Sequence, residues 1–94
     1  MKLIGVALSV FWVLWVQDLD FDLTPKSAWS TLRTFDFRVE CMREAHPLLQ
    51  ARFGEGTVMD PRTYGHKGRL IFISRGAKWE FDCLPDAVQP NRGQ

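Results

Sequence analysis

An unbroken apolar run, Leu3 to Val16, stands near the head of this chain behind a single lysine, Lys2. It ends at Gln17, before Asp18, Asp20 and Asp22. A basic residue, an apolar core and a polar exit form the layout of an export signal or a short membrane anchor. The 14 residues of the run would make a helix of about 21 Å, short against a hydrocarbon core of about 30 Å. That length suits the apolar core of a signal. The small residues spaced as a cleavage site needs them are Ala7 and Ser9, inside the run, while Trp12 and Trp15 are typical of a membrane interface. Cleaved signal and uncleaved anchor both stay open, and both place the rest of the chain outside the cytoplasm. The remaining reading is a buried strand or helix of a cytosolic protein.

Past residue 17 there are 77 residues, enough for one small domain with a limited core. With Lys2 set aside, the chain has 11 basic and 11 acidic residues, interspersed in sign. A neutral domain lacks the field that draws proteins to nucleic acid or anionic membranes, so no nucleic-acid partner is expected.

Two cysteines, Cys41 and Cys83, stand far apart in sequence. In an exported chain an isolated pair reads as one disulfide. Closing a loop of this length stabilises a fold by about 4 kcal/mol in the chain-entropy model. No C-x-x-C redox motif is present.

Strict alternation in Asp18–Leu23 suggests an edge strand with Leu19, Phe21 and Leu23 on one face, or an extended tether, so residues 18–27 form a linker or edge strand. Residues 28–35 fit a helix or a strand, and their β-branched content favours a strand leading into a helix. Asp36 is the expected N-cap. Phe37 to Arg52 then reads as a helix with the stripe Val39, Met42, Ala45 or His46, and Leu49, and with Cys41 near its edge. Pro47 should kink or stop it, and Gly54 and Gly56 should end it. Gly54 to Gly68 reads as a loop.

Leu70–Ile73 and Trp79–Cys83 read as a hairpin with its turn at Arg75-Gly76 or Gly76-Ala77. Leu70, Phe72, Trp79, Phe81 and Cys83 then share an apolar face for the helix that carries Cys41. Glu80 and Asp82 face the other way, where a hairpin edge is usually wet. Residues 89–94 read as a disordered tail.

The expected fold is therefore α+β: one helix packed on a small antiparallel sheet built from the C-terminal hairpin, with a single disulfide. Residues 1–17 form a signal or anchor and residues 28–88 the small domain.

The patterns W-x5-F-D-x3-E-C (Trp29, Phe35, Asp36, Glu40, Cys41) and C-L-P-D-x-V (Cys83 to Val88) resemble a group of small uncharacterised bacterial exported proteins. In that group an N-terminal signal precedes one small domain whose end reads like C-L-P-D-T-V-D-P-R. This chain departs at Ala87, Gln89 and Asn91. The resemblance spans roughly residues 29 to 90. It implies an exported, disulfide-linked domain, and it brings no activity with it.

Enzyme chemistry has little support in the sequence. Cys41, His46, His66 and Cys83 have a composition that suits zinc. However, Cys41 and His46 would point about 140° apart on a helix, and thiols in an oxidising compartment pair with each other. Ser27, Ser30 and Ser74 lack the flanking glycines of a nucleophile elbow, and the glycines at 54, 56, 65 and 68 do not build a phosphate loop. No catalytic residue, metal site or cofactor is expected. Aromatic side chains exceed what so small a core needs, which makes Trp29, Phe37, Tyr64 and Trp79 a candidate interaction surface. The functional expectation is a non-enzymatic interaction module of the periplasm or envelope with an unknown protein partner. The alternative is a small accessory subunit of a membrane complex, attached to the inner membrane through Leu3 to Val16.

Overall fold

The computed structural model describes residues 10–65 and 68–90. Five strands and one helix follow in the order β1 (Trp12–Leu19), β2 (Ser30–Phe35), α1 (Arg38–Phe53), β3 (Thr57–Met59), β4 (Leu70–Ser74) and β5 (Ala77–Pro85), with a 3-10 turn at Pro61–Tyr64. The strands form one antiparallel sheet ordered β2-β1-β5-β4-β3. The helix carries the chain across one face of the sheet, from the β2 edge to the β3 edge.

The core lies between that face and the helix. Leu14 and Val16 of β1, Phe72 of β4, and Phe81 and Cys83 of β5 meet Cys41, Ala45 and Leu49 of α1. The three helix residues recur every fourth position and so lie one above another. Cys41 and Cys83 are joined by a disulfide, with Cα atoms 6.1 Å apart. The fold is thus α+β, with one helix on an antiparallel sheet and one disulfide. The sheet is larger than the expected C-terminal hairpin.

The largest departure is at the N-terminus. Trp12–Leu19 is an inner strand, paired on one side with β2 and on the other with β5. Leu14 and Val16 face the helix, while Val13, Gln17 and Leu19 are buried on the opposite face. A strand buried on both faces reads as a continuous apolar run, which is how this segment resembles a signal or anchor. A boundary after Gln17 would remove six of the eight strand residues. The part of the expected signal or anchor in residues 1–9 lies outside the described residues. Among the described residues, no helix is long and apolar enough to cross a membrane.

Several local expectations shift as well. Asp18 and Leu19 belong to β1, and residues 20–29 form the loop to β2 in place of an edge strand. Residues 30–35 are a strand, with Leu32 as the extra residue of a bulge opposite Leu14 and Trp15. The helix N-cap is Phe37, one residue beyond Asp36, and no side chain caps it. The buried stripe is centred on Cys41, Ala45 and Leu49, leaving Val39 exposed, so Cys41 sits in the middle of the stripe.

The helix runs through Pro47 without stopping. Pro47 and Arg43, one turn earlier, are both exposed, so water can reach the carbonyl that loses its amide partner. Gly54 closes the helix, its N–H donating to the Gln50 carbonyl at 2.8 Å. The expected loop from Gly54 to Gly68 contains β3 and the 3-10 turn. The hairpin is as expected, with its turn at Arg75-Gly76 closed by the pair Ser74 and Ala77. In the expected tail, Pro90 is buried; residues 91–94 lie outside the described residues.

Candidate functional site

The sheet face away from the helix carries the most chemically distinctive surface. Side chains alternate along β5, so Phe81 and Cys83 turn to the core while Glu80 and Asp82 turn to this second face. Glu80 stands between Gln17 of β1 and Ile71 of β4 in the ladders. The sequence suggests a wet hairpin edge here. Instead β5 is the middle strand of five, and the loop after β1 together with Pro61 builds walls around Glu80.

The result is a cavity of about 200 Å3 lined by Leu19, Leu23, Pro61, Ile71, Arg69 and Glu80. Pockets for drug-sized ligands run to about 300–1,000 Å3, so this one suits a single side chain or small group rather than a large cofactor. Asp82 is well satisfied: one carboxylate oxygen accepts from Arg69 Nε at 3.0 Å and the other from the Cys83 backbone N–H at 2.9 Å. The Arg69 guanidinium also lies 5.2 Å from the centre of the Trp29 ring. Glu80 accepts no hydrogen bond from any described residue. Desolvation pushes its carboxyl above the ordinary value; Arg69 opposes the shift and Asp82 adds to it.

The loop bordering the cavity is tightly built. Asp20 N–H donates to the Thr24 carbonyl and Leu23 N–H to the Asp20 carbonyl, each at 2.8 Å. Asp22 accepts from the Thr24 hydroxyl at 2.7 Å and from the Thr24 N–H at 3.2 Å, and these bonds hold its carboxyl below the ordinary value. Gln17, buried beneath the loop, donates from Nε2 to the Ser27 carbonyl at 2.7 Å. Leu23 adopts a left-handed backbone, φ 69°, which a leucine tolerates only where its surroundings impose it. At the tip of this loop Phe21 is 88% exposed, the most exposed of the large apolar side chains described.

The four aromatic residues named as a candidate surface come from four separate segments of the chain. Trp79 packs against the core and stacks on Phe53 with ring centres 4.1 Å apart. Trp29 is half-buried under Arg69. Phe37, at the start of the helix, and Tyr64, at the end of the 3-10 turn, are 63% and 69% exposed. Phe21 was legible as an exposed residue only through its neighbours. Asp20, Asp22, Thr24 and Pro25 are turn-forming residues, and the Asp22 carboxylate accepts from the backbone N–H two positions on.

The imagined metal ligands do not converge. Cys41 and Cys83 are bonded to each other, and His46 Nε2 lies 3.0 Å from the Gly56 carbonyl oxygen. His66 lies outside the described residues. Among the described residues, no group of three or more histidine, cysteine or acidic side chains is placed to hold a metal ion. No protein family, no curated protein and no solved structure matches this chain.

Proposed function

We propose that this chain is an exported, disulfide-stabilised domain of the periplasm or cell envelope that works as a non-enzymatic protein-interaction module. The observation that carries this reading is the Phe21 loop. An apolar ring left in water gains nothing for the fold, yet a hydrogen-bonded loop with a left-handed leucine holds it there. A rigid aromatic at a loop tip is the kind of anchor that inserts into a partner's pocket, since little side-chain freedom is lost on binding. Asp20 and Asp22 flank it and favour a partner surface with a basic rim.

Export is supported by the buried disulfide, because such bonds persist in oxidising compartments. Processing, where it occurs, falls before Trp12, since β1 is needed whole; Ala7 and Ser9 precede that point. An accessory subunit held at a membrane by residues ahead of β1 is the second reading, favoured by the exposed Val10 and Phe11 that lead into the strand.

The test is site-specific photo-cross-linking from position 21 in intact cells, with position 63 on the 3-10 turn as control. A discrete adduct at 21 and none at 63 is the expected result. Absence of any adduct at 21 would reject the module reading. Non-reducing mass of the same material should be two hydrogens below the reduced form; free thiols would reject export.

A further inference from the structure

We infer that the cavity beside the Phe21 loop receives a lysine side chain of the partner, its ammonium group meeting Glu80. The inference rests on the module reading above and names the chemistry of what is bound.

Three observations converge on it. The walls are aliphatic: Leu19, Leu23, Ile71 and Pro61 line the space, as the four-carbon stem of a lysine requires. The charge count is uneven. Among the described residues, three carboxylates, Asp60, Asp82 and Glu80, stand against two guanidinium groups: Arg62 pairs with Asp60 and also feels the charge of Asp82, and Arg69 Nε is held by Asp82. One negative charge is therefore left over among the described residues, and it belongs to Glu80, the carboxylate to which none of them donates a hydrogen bond. A half-buried carboxylate with its acceptor sites unfilled is costly, and a donor cation brought by a ligand removes that cost.

Geometry separates lysine from arginine as the guest. A cavity of about 200 Å3 accepts a compact ammonium at the end of a thin stem. A guanidinium is a broader planar fork, and the cavity wall already carries one, that of Arg69. Leu23 also links the cavity to the anchor, since it lines the space and stands two residues from Phe21 on the same loop. A partner that takes Phe21 into a pocket would have its own surface directly over the cavity mouth.

The experiment uses the full oxidised chain and a defined probe, Nα-acetyl-lysine methylamide, titrated while the backbone amide signals are followed by NMR. Norleucine amide, which keeps the four-carbon stem and lacks the ammonium, is the comparison. The expected result is saturable shifts at Leu19, Leu23, Ile71 and Glu80, with a dissociation constant of about 1–10 mM for so small a probe. Norleucine amide and the Glu80→Gln variant should each bind at least about tenfold more weakly, the effect of losing one charge-assisted contact. Asp86→Asn, which changes an exposed carboxylate that does not line the cavity, should bind as the parent does and controls for general charge attraction.

No saturable shifts, equal binding of norleucine amide, or unchanged affinity in folded Glu80→Gln would each overturn the inference. A probe that fails to bind while position 21 still cross-links in cells sinks the lysine and leaves the module. Loss of both sinks the module itself.

Discussion

Leu14 stands directly opposite Cys83 in the β1–β5 ladder, so the middle of the first strand and the disulfide occupy the same layer of the core. Leu14 is fully buried, as is Cys41 across from it on the helix. The disulfide therefore ties the helix to the strand that β1 completes, and each depends on the other. A chain starting at Asp18 should be unfolded by circular dichroism and NMR, because β5 loses a pairing partner and the core loses Leu14 and Val16. Reducing the disulfide is a milder loss. Opening a loop of 42 residues should cost about 2–4 kcal/mol, measured as a lower urea midpoint with dithiothreitol present. A truncated chain with a native spectrum would mean that β1 is dispensable.

The C-terminal half was the legible half. Trp79 to Cys83 alternates, the apolar run Leu70 to Ile73 precedes it across a turn at a glycine, and the cysteine pair demands that the hairpin face a helix. The first strand was hidden by its own burial: with apolar residues on both faces, Trp12 to Val16 has no alternation to read. β3 was hidden by brevity, since Thr57–Met59 pairs only three residues with β4. The cavity at Glu80 had no local signal at all. Its walls come from Leu19 and Leu23, from Pro61 and from Ile71, segments that meet only in the sheet.

Gly56 marks the point where the chain leaves the helix and passes close over β4. A Cβ there would run into the Ile73 carbonyl and the Phe72 ring. Backbone cannot move aside as a side-chain tip can. Gly56→Ala should therefore destabilise by about 1–3 kcal/mol, the usual cost of overpacking, and by more if β3 detaches. Urea unfolding would show it, and the amides of Thr57 to Met59 should exchange faster in the variant. An unchanged midpoint would show that this crossing is looser than described.

Arg75 occupies the first position of the β4–β5 turn with a φ of 53°, followed by Gly76 at 82°. Two-residue hairpin turns of this hand favour asparagine followed by glycine, because asparagine tolerates the left-handed region. Arg75 is exposed, so its replacement removes little packing. Arg75→Asn should stabilise the domain by about 0.5–1 kcal/mol, read as a higher urea midpoint with an unchanged slope. A loss of stability would mean that the arginine side chain contributes contacts that outweigh its backbone strain.

Glu80 gives the fold a pH dependence whose sign is set by burial. Desolvation raises its carboxyl above the ordinary value, against the pull of Arg69 and with the push of Asp82. In the unfolded chain the same group ionises at lower pH. Between the two values the folded state holds more protons than the unfolded one, so this group's contribution to stability falls as pH rises. The penalty is absent below the unfolded value and complete above the folded one. Glu80→Gln removes it, and the variant should be more stable than the parent at about pH 7. The difference should stay below about 1 kcal/mol because the group is only partly buried, and it should vanish at about pH 3. Bound lysine amide should narrow the gap at neutral pH, since it compensates the charge in the parent and has nothing to compensate in the variant. Parallel urea titrations of the two proteins across that range, with and without the probe, would therefore separate the cost of the carboxylate from its use.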